Sequence, residues 1–221
     1  MDQNNTIVCK EILQYFRAML PSHSHEAKNV LAVINENAGL MDDYILMAQK
    51  GKSLNLERLS SLSSTIRKQV VRLNGLITDV RQAAEGIENN SQEICLVNYT
   101  RRVSELLSKK AATRSIRFEV CAREEPILIH AQPVLLLHLL WICLDYAMAA
   151  GKQGSQIGLT LEKGTEDAVV LISGIEGLVS ATITTIMPDE QRNAVLSALN
   201  AELKIDENEK SVMLTIRKHH A

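Results

Sequence analysis

The chain is poor in aromatic residues, with two Phe, four Tyr and one Trp among 221 positions. A core made instead of Leu, Val, Ile, Ala and Met suits helix bundles and small sandwiches. Neither sign of charge dominates: the formal net charge of -2 leaves no electrostatic footprint for nucleic acid or an anionic membrane surface. Cysteines at paired metal-ligand spacing are also missing, because Cys9, Cys95, Cys121 and Cys143 are scattered. With no signal peptide ahead of them, free thiols in a reducing cytoplasm are the simpler expectation. The longest apolar run, Val134 to Leu144, is interrupted by His138. It falls short of the roughly 20 residues that span a bilayer. These absences predict a soluble cytoplasmic protein with no nucleic-acid or membrane partner.

What is present is helical periodicity. Leu20, Ser24, Ala27, Leu31, Ile34, Ala38, Met41, Ile45 and Ala48 recur at alternating steps of four and three, the heptad seam of a helix that packs along its length. Lys50-Gly51-Lys52-Ser53 reads as its stop and turn. A second seam, Leu59, Leu62, Ile66, Val70, Leu73, Ile77 and Val80, runs out near Gly86 and the polar Asn89-Asn90-Ser91. One hairpin of two such helices is too thin to bury both stripes. Two copies about a two-fold axis would close a four-helix bundle, so a homodimer is the physical expectation. Packing of the stripes on the rest of the same chain is the alternative.

Beyond residue 90 the pattern turns mixed. It predicts a helix over Asn98 to Ala112, strands at Ser115 to Cys121 and Ile127 to His130, and an apolar helix from Pro133 to Ala150 closed by Gly151. A hairpin of Gln156 to Leu161 and Ala168 to Ser173 around Lys163-Gly164-Thr165 follows. Pro188-Asp189-Glu190 opens a helix drawn through Leu203, with acidic residues suiting its start, and Ser211 to Arg217 alternates as a last strand. The fold class expected is α+β. Residues 1-90 form a helical hairpin built for a dimeric four-helix bundle; residues 91-221 form an α/β sandwich of one mixed sheet and about three helices.

Chemistry concentrates near the start of the first seam, in Ser24-His25-Glu26-Ala27-Lys28-Asn29-Val30-Leu31. With Ser24, Leu31, Ala38 and Ile45 at one seam position and Ala27, Ile34, Met41 and Ala48 at the other, His25 and Asn29 point outward, one turn apart. A neutral imidazole there offers one ring nitrogen as nucleophile while the other donates a hydrogen bond. Asn29 could orient a water or a phosphoryl oxygen. Glu26 is next in sequence, and helical spacing alone does not aim it at the ring. A solvated helix face would carry the same residue types. His23 is followed by Ser24 rather than an acid and ranks far behind as an acceptor. His130 and His138 read as packing or satisfied core histidines, while His219 and His220 have no partners at recognisable spacing.

His25-Glu26-Ala27-Lys28-Asn29-Val30-Leu31 resembles the H-box of bacterial sensor histidine kinases, where His-Glu or His-Asp precedes a basic residue, Asn or Thr, and often Pro-Leu. The hairpin resembles the family's dimerisation and histidine phosphotransfer domain. The order of elements after Asn90 is similar to its ATP-binding domain, so the resemblance spans the chain from about residue 10. It implies His25 as phosphoacceptor, Glu26 as the acid/base that tunes its ring, and Asn29 as support for transfer or for dephosphorylation of a partner's aspartate. Val30 replaces the usual Pro, which implies a straighter helix past the site, while Pro21 bends or starts the segment one turn before His25.

The same resemblance marks what is eroded. Ile142 and Tyr146 stand where the family's metal-binding asparagines belong, leaving Asp145 as the polar residue of that stretch. In Ser173-Gly174-Ile175-Glu176-Gly177, Ser replaces the adenine-reading Asp and Ile the first Gly of Asp-x-Gly-x-Gly; no Gly-rich lid follows Gly177. A triphosphate needs Mg2+ and pre-aimed donors, so no ATP cofactor is expected, and Mg2+ only in a partner receiver domain. The sequence points to a kinase-derived histidine phosphotransferase that moves phosphoryl groups between response-regulator receiver domains through His25. A non-catalytic scaffold for response regulators, and a phosphatase using Glu26 and Asn29, are the alternatives.

Overall fold

A computed structural model describes residues 3-88, 91-122, 125-179 and 187-217, and the side chains of most of these. His219 and His220, Asn89 and Asn90, and most of the stretch where a lid would follow Gly177 lie outside the described residues. The chain divides into two compact units, Phe16-Glu85 and Met1-Tyr15 with Gly86-Ala221.

The first unit is a helical hairpin. Helix α1 (Gln3-Gln49) carries the first seam, and Pro21 lies inside it rather than at its start. Because proline has no N–H, the carbonyl four residues back, that of Arg17, loses its helical donor there. The helix ends in a Schellman motif: Gly51 takes φ +83°, with Gly51 N donating to Ala48 O at 2.9 Å and Lys52 N to Met47 O at 3.1 Å. Glycine suits this left-handed position. Helix α2 (Leu56-Glu88) is capped by Asn55, whose Oδ1 accepts from Arg58 N at 3.0 Å; amide caps of this kind satisfy an orphan N–H of the first turn.

Three cross-helix pairs fix an antiparallel register. His23 faces Asp79 at 3.7 Å, Glu26 pairs with Arg72, and Arg58 Nη1 donates to Tyr44 OH at 2.9 Å. Moving from His23 to Tyr44 on α1 moves the partner back from Asp79 to Arg58 on α2 by the same number of residues. The two seam rows of α1 then differ: Ala27, Ile34, Met41 and Ala48 are half-buried, whereas Ser24, Leu31, Ala38 and Ile45 stay exposed. On α2 the row Leu56, Ser63, Val70 and Ile77 leaves three large apolar residues open, Ile77 at 58%.

The second unit is α+β. After β1 (Gln92-Cys95) come α3 (Leu96-Ala112), β2 (Arg117-Ala122), β3 (Leu128-Ala131), α4 (Pro133-Ala150), β4 (Gln156-Lys163), β5 (Asp167-Ser173), α5 (Asp189-Ala198), β6 (Ala201-Asp206) and β7 (Ser211-Arg217). Five strands form one sheet in the order β2-β4-β5-β7-β6; β2 runs parallel to β4 and the other neighbours antiparallel. Its inner face is a run of buried Ile157, Leu159, Leu161, Val170, Ile172, Val212, Leu214 and Ile216. Strands β1 and β3 pair separately as an antiparallel ribbon, so the expected single sheet is two.

Helix α4 starts on Pro133, whose fixed φ suits the first helical position. It is apolar all round and mostly buried, as such a helix must be. By length and composition it could cross a membrane, but 78% of it is buried inside the unit. The last helix corrects the sequence reading. Drawn through Leu203, it stops at Ala198, because Asn200 takes φ +48° and Ala201-Asp206 leaves as an edge strand beside β7. Ala, Glu, Leu and Lys are good helix formers, and here pairing with β7 overrides that propensity.

Candidate functional site

His25, Glu26 and Asn29 sit on α1 within one turn and a half. His25 and Asn29 are exposed, and Glu26 is half-buried. The imidazole and the amide meet: Asn29 Nδ2 donates to His25 Nδ1 at 3.1 Å. In a neutral ring with that hydrogen bond, the ring proton sits on Nε2. Glu26 turns the other way, its carboxylate against the Arg72 guanidinium of α2. Val30, in the place of the usual proline, is a core residue at 1% exposure, so the helix runs on past the site without a break.

His23 is not a second acceptor facing solvent. It is buried, with Nδ1 on the Met19 carbonyl at 3.2 Å and its other nitrogen toward Asp79. Arg72 and Asp79 escaped the sequence reading. The signal was available in the register: a hairpin turning at Gly51 brings the residues of α2 numbered in the seventies opposite the mid-twenties of α1.

In the α/β unit, the stretches that the resemblance sets against a nucleotide site engage groups of the unit itself. Ile142 and Tyr146 of α4 are buried. The Tyr146 hydroxyl donates to Val179 O at 2.8 Å and accepts from Val179 N at 3.1 Å; burial raises its pKa, partly offset by the Val179 backbone bond. Asp145 is engaged by Lys110. In the turn after β5, Ile175 is fully buried, with its N–H on Lys210 O at 3.1 Å, and Gly177 N donates to Ala150 O at 3.0 Å. Glu176 pairs with Lys152 at 2.5 Å, which lowers the Glu176 pKa.

His138, on α4, is a core histidine and is satisfied on one side: its Nε2 lies 2.8 Å from Glu11 Oε2, while its buried Nδ1 has no partner among the described residues. His130 is not a core residue. Burial alternates along β3, and His130 falls on the exposed side. Among the described residues no group of three or more His, Cys, Asp or Glu side chains is gathered to hold a metal ion.

This geometry has the fold of histidine kinases. The nucleotide-free catalytic domain of histidine kinase ThkA superposes with a TM-score of 0.50 at 18% identity, covering 58% of this chain and 95% of its own. Histidine kinase AdeS of Acinetobacter baumannii superposes with a TM-score of 0.50 at 13% identity, over 89% of this chain and 98% of its own. What these proteins share with the chain is the fold: the first over little more than half of its length, the second over most of it. No protein-family model matches the sequence, nor does any curated protein compared with it.

Proposed function

We propose that the chain is a histidine phosphotransferase of two-component signalling, acting in the cytoplasm as a homodimer. His25 accepts a phosphoryl group from the aspartate of one response-regulator receiver domain and passes it to another. The observation that carries this reading is an exposed imidazole bearing the Asn29 amide on its ring, placed on the outward face of a hairpin in a histidine kinase-like fold. Exposure matters because the donor aspartate and its Mg2+ arrive on another protein and must line up with the ring nitrogen.

Supply of phosphate from outside, rather than from ATP, is supported by the filled stretches of the α/β unit. Ile142 and Tyr146 offer no carboxamide for a metal, and Tyr146 and Ile175 occupy their surroundings as core. Dimerisation is supported by the open heptad rows of α1 and α2, which a second copy would cover.

The test is direct. Receiver domains charged with acetyl phosphate are mixed with the protein, and acid-labile label on His25 is followed, with Mg-ATP in a separate arm. Label from a receiver but not from ATP, lost in His25→Ala, is the expected result. Absence of label from every receiver overturns the reading. The exposed Asn29 amide also favours a phosphatase role, in which it would orient a water against the partner's aspartyl phosphate. Asn29→Ala would then abolish dephosphorylation of the receiver, whatever His25 does.

A further inference from the structure

We propose that Arg72 is a positioning residue that keeps His25 in a resting form, a step that rests on the phosphotransferase reading above. Across the hairpin from α1, its guanidinium holds the Glu26 carboxylate. The Glu26 side chain is 12% exposed and that of Arg72 51%. The carboxylate is thus drawn inward between the helices while its cation reaches it from the rim. One heptad further along α2, Asp79 faces the buried His23. The two polar residues that α1 turns inward beside the acceptor, His23 and Glu26, are both met from α2. The outward face is left to His25 and Asn29.

The consequence lies in the ring. With Asn29 donating to Nδ1, the Nδ1 lone pair is engaged and Nε2 carries the proton, so neither nitrogen offers a free pair to phosphorus. An acceptor at Nε2 requires the proton on Nδ1, and a proton on Nδ1 requires an acceptor beside it. The Glu26 carboxylate is a strong one, and charge-assisted bonds outcompete neutral ones. It follows His25 by one residue, about 100° around the helix, on an arm long enough to swing once Arg72 lets go. In the transfer the Nε2 pair forms the N–P bond, the P–O bond to the donor aspartate breaks, and that electron pair stays on the aspartate carboxylate. The ring proton remains at Nδ1, against Glu26. Parting of Arg72 from Glu26, for instance as a receiver domain presses on the hairpin, is therefore the event that arms the ring.

The test uses the full-length protein with ring-15N histidine and potassium phosphoramidate, a small phosphoryl donor that needs no partner protein. Attack by Nε2 breaks its P–N bond and releases ammonia. The wild type is expected to show the Nε2–H tautomer at His25. Arg72→Ala should shift the ring toward Nδ1–H and speed its labelling about fivefold, the change that loss of one partly exposed ion pair allows. Arg72→Lys should stay near the wild type, and Glu26→Gln combined with Arg72→Ala should lose the gain. A merely structural Arg72 would instead lower Tm and labelling together. Wild-type tautomer and rate in Arg72→Ala, or a gain that survives without the carboxylate, overturns the proposal. The two readings fail separately: phosphoramidate labelling with this pattern but no exchange with receivers sinks the phosphotransferase alone, and normal exchange with a tautomer indifferent to Arg72 sinks the role of Arg72 alone.

Discussion

Glu11 and His138 stand 127 residues apart in the chain and 2.8 Å apart in the fold. Both are buried, Glu11 to 1% exposure, and Tyr15 closes over the pair with its ring edge-on to His138 at 6.1 Å and to Trp141 at 6.3 Å. The contact fastens the first turns of α1 to α4 within one compact unit. Removing one partner of a buried pair strands the other, at a cost of about 3–5 kcal/mol. His138→Ala or Glu11→Ala should show that loss in urea melts. Glu11→Leu with His138→Phe, which removes both polar groups and keeps the site filled with side chains of similar shape, should restore most of it.

That contact also marks where sequence reading stops. His138 sits in an apolar run and could be read as a core residue, because a helix that is hydrophobic all round has nowhere else to go. Glu11 could not be named as its partner, since nothing local to Glu11 says that the helix before the H-box belongs to the α/β unit. The same division holds at the site. His25 and Asn29 were legible because helical spacing alone brings them together, and the structure joins them. The Glu26–Arg72 pair needed the hairpin register, a tertiary fact. Strand β6 was missed because its residues favour helix locally, and only the neighbouring β7 and a left-handed Asn200 say otherwise.

Tyr146 holds the backbone of Val179 by two hydrogen bonds where the family resemblance would place an asparagine. Tyr146→Phe keeps the ring in the core and removes both bonds. Val179 is 49% exposed, so water can replace part of what is lost and the cost should be about 1–2 kcal/mol rather than the full desolvation penalty. Hydrogen exchange at the Val179 amide should quicken in step with that loss. An unchanged amide would mean that the hydroxyl does not hold this segment.

The turn after β5 leaves no room at its glycines. A Cβ on Gly177 would stand 2.4 Å from Ala150 O; on Gly174, already at φ +81°, it would stand 2.6 Å from Gln156 O. In both cases the obstacle is backbone, which cannot step aside as a flexible side chain can. Gly177→Ala and Gly174→Ala should each cost about 1–3 kcal/mol, the range for overpacking and strained backbone, and thermal melts of the two variants measure it.

The cysteines should separate by reactivity. Cys9 and Cys121 are exposed, and Cys143 is buried, where desolvation pushes its thiol up to about 12. Iodoacetamide at pH 8 should modify the first two in the native protein and reach Cys143 only after unfolding, which peptide mass mapping would show. The raised thiol also gives stability a sign. The folded state holds that proton more tightly than the unfolded chain, so its contribution is full below pH 9 and is lost as the pH climbs from there toward 12. Cys143→Ala should flatten that part of the stability curve.

The open rows of the hairpin give the proposed dimer its own test. Leu31 and Ile45 on α1, and Leu56, Val70 and Ile77 on α2, are between 44% and 70% exposed in the single chain, and each set keeps a seven-residue spacing. Isolated apolar residues on a surface mean little, but exposed heptad rows on both helices of a hairpin are the pattern that closes against a partner. Light scattering should therefore give the mass of two chains of 24.5 kDa each. Leu31→Glu with Ile77→Glu sets charges into these rows without touching Ala27, Ile34 or Met41. It should yield the single-chain mass at micromolar concentration while near-ultraviolet circular dichroism keeps the signal of Trp141, which lies in the α/β unit. A wild type that elutes as one chain, or a double variant that stays paired, would put the contact elsewhere.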